Sequence, residues 1–302
     1  MLVLYGGTGF IGRHICEIAN ALNSPSSVIS RNPDTAFIQE YAPNLSVYKS
    51  GSEGADEAVK AARTVVYLAN NSKPATGFQT LSDLVNLDLV TLTNFAENLL
   101  KVNPKCHLVY ISSGGQIYGK SYHSPIPENE AASPSTPYGL SKRLNESILD
   151  YFQQNTDLSI SVLRLANPVG RWQVGTRHGL VSAAVKAAVE TSALTIFGEG
   201  HNARDYFDVD DFARFICESH AKNSFETGTY NIGTGVAVTE RDVVQAVSDA
   251  LGSELKTKYE PGRRFDLPYA VLDITEAREK LGWNPTTPLS ESIKKIAQSV
   301  KG

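Results

Sequence analysis

The stretch GGTGFIG, directly behind the apolar run LVLY, limits the possible folds more than any other part of the chain. Glycines at 6, 9 and 12 let a backbone leave a strand, turn tightly and enter a helix. The same turn admits a pyrophosphate, which the N–H groups at the positive end of that helix attract. Gly6, Gly9, Phe10, Ile11 and Gly12 are therefore expected to contact a dinucleotide. A glycine triplet alone also fits an ordinary βα turn, but its place after a strand and before an amphipathic helix favours the dinucleotide.

The rest of the chain continues that pattern. Short apolar runs (SVIS, TVVYLA, HLVYIS) alternate with helix-like segments, the longest being LSDLVNLDLVTLTNFAENLLKV, and SISVLRL follows as a further strand. This alternation predicts a Rossmann-type, doubly wound parallel α/β sheet. Residues 1–166 form the expected dinucleotide-binding domain, with return segments near 204–225. Residues 167–302, richer in Gly, Pro and Arg, form a smaller C-terminal α/β region that binds substrate, and the site is expected in the cleft between the two.

A formal net charge of -4 with 20% charged residues argues against a nucleic-acid footprint and favours a small-molecule partner. No apolar run approaches the length of a membrane span. Cys16, Cys106 and Cys217 are odd in number, far apart and set among apolar residues, so they read as buried thiols of a reducing compartment. With no basic leader before the first strand, the expectation is a soluble cytoplasmic protein. No metal-ligand pattern stands out.

The second strand ends VISRNP, where an NAD-binding domain usually places an acid for the ribose 2′-hydroxyl. Ser30 and Arg31 stand there instead. A hydroxyl and a guanidinium suit a 2′-phosphate, which a carboxylate would repel, so NADP is favoured over NAD. Arg31 stacked on adenine or facing solvent is the competing reading.

Residues 137–142 read PYGLSK. If Pro137 opens a helix, Tyr138 and Lys142 share one face. A phenol is a poor base at neutral pH unless a fixed cation favours its phenolate, and Lys142 carries that cation. An exposed Tyr/Lys pair is the alternative that the residues alone leave open.

Taken in order, GGTGFIG, YLAN, ISSGGQIYG and YGLSK resemble the extended short-chain dehydrogenase/reductase superfamily, and within it the NAD(P)-dependent nucleotide-sugar epimerase/dehydratase family. The resemblance extends through LRLANPVG, GEGHNARDYFDV and GRRFDLPYAVLDITEAREKLGW and covers nearly the whole chain. It implies that Leu68 and Ala69 line the cofactor, that Tyr138 and Lys142 are catalytic, and that Asn86 anchors their network. It further implies Asn167, Arg204, Arg263 and Asp266 as contacts of a nucleotide-diphosphate sugar, and a homodimer formed by residues 82–102 with the helix after Pro137. Leu84, Leu87, Leu92, Phe95 and Leu99 supply the apolar surface for that pairing.

One position departs from the family pattern. Gly114 stands where the active-site Ser or Thr is expected, so Ser113 is nominated for that work, with Ser112 expected to bond the backbone. Gly115 and Gln116 replace the acidic pair of sugar 4,6-dehydratases, which disfavours dehydration. The resemblance therefore implies a nucleotide-sugar epimerase, acting on C4 of a UDP-hexose by transient hydride transfer, or an NADPH-dependent reductase of a nucleotide-4-keto-sugar. A non-catalytic NADP sensor is the third alternative. His178, in the loop WQVGTRHG, faces either substrate or solvent.

Overall fold

The computed structural model describes residues 1–70, 80–119, 124–173, 179–263 and 266–301. Six strands alternate with helices through the first half: β1 (Leu2–Tyr5), α1 (Phe10–Ala21), β2 (Ser26–Ser30), α2 (Thr35–Tyr41), β3 (Ser46–Lys49), α3 (Glu53–Lys60) and β4 (Thr64–Tyr67). Then come α4 (Leu81–Leu84), a π-turn at Val85–Leu89, α5 (Val90–Val102), β5 (His107–Ser113), α6 (Gly114–Ile117), α7 (Pro137–Asn155) and β6 (Ser159–Leu165). All strands of the main sheet run parallel, in the order Gly228–Ile232, β6, β5, β4, β1, β2, β3. The sheet order reverses beside β1, which sets a crevice at the carboxyl ends of β1 and β4.

Side chains alternate along each strand and so supply two cores. Leu2, Leu4, Val28, Val66 and Val109 pack with Ile15 and Ala19 of α1. Their neighbours Val3, Ile29, Val65 and Leu108 pack with Leu92 and Leu99 of α5 and Leu149 of α7. The strands thus read as continuous apolar runs because both faces are covered.

The C-terminal half has its own core, in which Val181 and Val185 meet Val243, Val247, Ile293 and Ile296. The return to the first half is longer than the sequence suggested. It includes the helix Val209–Lys222, whose Phe212 and Ile216 join the α1 side, and continues to Gly228–Ile232, which adds the seventh strand on β6. That strand is short and opens on a glycine, so its sequence carries little periodicity. No helix among the described residues is long and apolar enough to cross a membrane.

Candidate active site

The glycine turn is built as its spacing requires. Gly6 has φ +88°, and a β-carbon there would overlap the Ala69 backbone nitrogen and lie 2.6 Å from its Cα and 2.9 Å from the Leu68 carbonyl carbon. Leu68 and Ala69 therefore form the opposite wall of the turn. Gly12 lets α1 pack on the turn, since a β-carbon would fall 2.6 Å from Gly7 Cα. Gly9 is exposed, and nothing but the Gly6 oxygen, 3.8 Å away, would meet a β-carbon. It opens α1 without a side-chain cap, and the first turn holds no acid. N–H groups of the first helical turn, Phe10 and Ile11 included, are thus left for an anion. Side chains of Phe10 and Ile11 face inward, Phe10 edge-on to His14 and Ile11 onto the core. This bare, uncapped cradle fits the pyrophosphate of a dinucleotide.

At the end of β2, Ser30 Oγ lies 2.9 Å from Thr8 Oγ1 and donates to the Asn32 carbonyl at 3.3 Å. Arg31 is exposed. A second cation stands beside them that the sequence reading missed. Arg13 donates to the Thr8 carbonyl at 3.3 Å and pairs with Asp34 at 2.5 Å, its guanidinium lying 4.6 Å from the Phe37 ring centre. Its position, one residue after Gly12, is the only trace of it in the sequence. Asp34 is occupied at both ends, since it also caps α2 through Phe37 N–H.

Pro137 does open a helix. Thr136 caps α7 by accepting from Gly139 N–H at 3.1 Å, which places Tyr138 in the first turn and Lys142 one turn on. Lys142 is 4% exposed and donates to the Ile111 carbonyl at 2.8 Å and to Tyr110 Oη at 3.3 Å. Its ammonium lies 5.7 Å from the Tyr138 ring centre. Burial pulls Lys142 down to about 8, against the upward pull of Asp88 and Glu146. Tyr138 is pushed up to about 12 by burial, while a hydrogen bond with Ser113 draws it down and Asp88 draws it up. Ser113, 9% exposed at the end of β5, is thus close enough to act on the Tyr138 phenol.

Two expectations need correction. Asn86 is exposed and, among the described residues, bonds Ser82 Oγ at 3.5 Å; the polar residue of this turn that is buried is Asp88. Ser112 is tied not to backbone but to a carboxylate, donating to Glu146 Oε1 at 2.5 Å. Glu146 in turn holds the buried Arg164 at 2.8 Å, and Arg164 donates to Tyr118 Oη at 2.9 Å. At Gly114 the expected hydroxyl is displaced by an aliphatic side chain. A β-carbon would overlap Leu272 Cδ1 and lie 2.9 Å from its Cδ2.

On the far side, Asn167 Nδ2 donates to the Asp205 carbonyl at 2.9 Å. Arg204 donates to the Leu267 carbonyl at 2.6 Å, and burial lowers its proton affinity. Arg263 and Asp266 hold each other through two bonds of 2.8 and 2.9 Å, with the guanidinium 4.2 Å from the Phe197 ring centre. Both act electrostatically on Arg204, so these three residues form one cluster, which Glu240 joins. The strand Tyr269–Ala270 pairs with Ala203–Arg204, and two residues later Leu272 presses on Gly114, joining this cluster to the end of β5. His178 lies outside the described residues. No group of metal-binding side chains occurs among those described.

The fold and this site define a dinucleotide-dependent enzyme of the Rossmann type, and comparison gives the family. Residues 2–233 match the model of the NAD dependent epimerase/dehydratase family, and the chain belongs to that family. It is 26% identical to a putative UDP-glucose 4-epimerase of Methanocaldococcus jannaschii over 307 residues, covering 100% of this chain and 98% of that one. It is 25% identical to a dTDP-4-dehydro-6-deoxyglucose reductase of Escherichia coli, covering 99% and 97%. Among solved structures, the UDP-glucose 4-epimerase of Thermotoga maritima with UDP-glucose matches at a TM-score of 0.87 and 27% identity, covering 99% and 98%.

Proposed function

We propose that this protein is an epimerase acting at C4 of a nucleotide-diphosphate sugar, with a UDP-hexose as substrate. The observation that carries the reading is the meeting of Tyr138, Ser113 and Lys142 where β5 ends and α7 begins, with the strand that carries Arg204 tied to the end of β5 through Leu272. Bound nicotinamide supplies hydride acceptance and return and, in its oxidised form, a positive charge. Tyr138 moves the proton of the C4 oxygen, and Ser113 bridges that oxygen to the phenol. Lys142, anchored on the Ile111 carbonyl, holds the phenol's charge in check and bonds the cofactor ribose. Asn167 meets the sugar. Arg204 and Arg263 bind the diphosphate, whose charge takes over the partner that Asp266 provides to Arg263 in the structure; Asp266 is then released to the nucleoside ribose.

NADP is the preferred cofactor in this reading. Thr8, Ser30, Arg13 and Arg31 surround the end of β2 with hydroxyls and cations, and the nearby Asp34 is neutralised by Arg13. A second reading, an NADPH-dependent reductase of a nucleotide-4-keto-sugar, draws on that same loop and on the proton held by Tyr138. Purified protein given UDP-glucose with oxidised cofactor, and separately a nucleotide-4-keto-sugar with NADPH, separates the two. Epimerisation forms UDP-galactose with no net change in cofactor, whereas a reductase oxidises one NADPH per 4-keto-sugar reduced.

A homodimer belongs to the same proposal, through a surface that differs from the one first expected. Leu84, Leu92, Phe95 and Leu99 are all buried in this chain's own core. Leu87 stays outside with Leu81, Val85 and Val90, and α7 adds Leu144 and Tyr151, which is 65% exposed. Leu144, Ile148 and Tyr151 line an apolar groove of about 400 Å³ between α5 and α7, a shape that fits helices of a second copy. The three buried cysteines suit a reducing cytoplasm, and the net charge of -4 suits a protein without nucleic-acid partners.

A further inference from the structure

Buried positions along the helical segment from Leu81 to Val102 recur as Leu84, Asp88, Leu92, Ala96 and Leu99, with Phe95 beside them. Position 88 is thus one of the core positions of an amphipathic stripe, where an aliphatic side chain would serve. It carries a carboxylate instead, only 4% exposed. A buried carboxylate is costly unless its surroundings hold it, so its presence among apolar neighbours calls for a cause.

The surroundings supply one. Ser141 of α7 donates to Asp88 Oδ2 at 2.9 Å. Ser141 lies between Tyr138 and Lys142 in sequence and shares their helical turn. Asp88 therefore holds, through the Ser141 hydroxyl, the helical turn that carries both. Among the titratable groups that feel its charge are Tyr138 and Lys142 on α7 and Tyr67 on β4, while Glu146 acts on Lys142 from the next turn. Tyr110 of β5 completes the surroundings by accepting from Lys142 and from Asn145 Nδ2, at 3.3 and 3.0 Å.

We propose that Asp88 is a positioning residue of the reaction, a fixed counter-charge that governs protonation of the Tyr138–Lys142 pair. An anion favours the protonated form of each neighbour. Lys142 remains an ammonium at neutral pH although burial opposes it, and Tyr138 releases its proton less readily. This assignment rests on the acid–base roles of Tyr138 and Lys142 proposed above, so its test uses no sugar substrate.

The test is a carbon-13 titration of the lysine ε-carbon in the NADP-bound holoenzyme, with the Lys142 resonance identified by its loss in Lys142→Met. Removal of the charge in Asp88→Asn should move the Lys142 midpoint to lower pH, by on the order of one pH unit. Asp88→Glu, which keeps the charge, should titrate close to the parent. Asp88→Leu completes the apolar stripe and should fold even if the asparagine variant does not, and it should show the same downward shift. Lys142 titrating as in the parent in Asp88→Leu, or in Asp88→Asn, overturns the proposal. If the shift is found while no nucleotide sugar is turned over, Asp88 keeps its role and the proposed activity is what fails.

Discussion

Gly114→Ser puts the family's hydroxyl back and asks why this chain gave it up. The backbone at 114 does not forbid the change, since Gly114 is absent from the glycines of positive φ. Space does. The new β-carbon overlaps Leu272 Cδ1, lies 2.9 Å from Cδ2 and comes 3.2 Å from the Arg164 carbonyl oxygen. Leu272 is 1% exposed and its segment is bridged to Ile126, so its methyl groups have little room to retreat. Overpacking of this kind costs about 1–3 kcal/mol. Leu272→Ala alone should cost about 2–5 kcal/mol through the cavity it leaves. In the double variant the serine occupies part of that cavity, so the two losses should fall short of their sum by about 1 kcal/mol or more. Urea denaturation of the four proteins measures all three quantities. Gly114→Ser as stable as the parent, or strictly additive losses, would refute the idea that Leu272 has taken the place of the hydroxyl-bearing side chain.

Further expectations concern other parts of the molecule. Tyr138→Phe should bind cofactor normally yet lose roughly a hundredfold or more in turnover, and Ser113→Ala should lose clearly more than Ser112→Ala, in steady-state kinetics. Glu146→Ala should cost about 3–5 kcal/mol in denaturant unfolding, because it strands the buried Arg164 charge. Burial lowers His107 and His220 to about 4, so the unfolded chain binds more protons below the ordinary value of 6.5. Stability is therefore full above 6.5 and lost as pH falls toward 4, by a few kcal/mol on the order-of-magnitude scale of such shifts; Tm measured across that range should fall, and a flat profile would count against it. Ser30→Asp should reverse an NADP-over-NAD preference in equilibrium binding, and Arg13→Ala should weaken NADP selectively. Tyr151→Asp should leave a monomer in light scattering where the parent is a dimer.

Much of the fold was legible because its signals are local. GGTGFIG, the βα alternation and Pro137 each fix a nearby backbone shape, and the structure places β1, α1 and α7 accordingly. What escaped the sequence depends mainly on distance. The resemblance directed attention to Asn86, whereas the spacing of Leu84, Asp88 and Leu92 carries Asp88 inward and leaves Asn86 exposed. Leu272 meets Gly114 across 158 positions of chain, and the strand Gly228–Ile232 joins β6 from a part of the sequence that seemed to belong elsewhere. Arg13 hides within an amphipathic helix, where an arginine ordinarily faces solvent. Leu84, Leu92, Phe95 and Leu99 were read as dimer surface because a core face and a partner face share the same period.

The central claim is that one proton-handling site returns a hydride to the sugar that gave it up. Incubation of the purified protein with oxidised cofactor and UDP-glucose, and in parallel with NADPH and a nucleotide-4-keto-sugar, with products separated and NADPH followed by absorbance, tests this directly. The account predicts that UDP-glucose and UDP-galactose interconvert to equilibrium with no net change in NADPH, and that Tyr138→Phe abolishes the exchange. Stoichiometric oxidation of NADPH with a 4-keto-sugar, and no interconversion of the two hexoses, would contradict it.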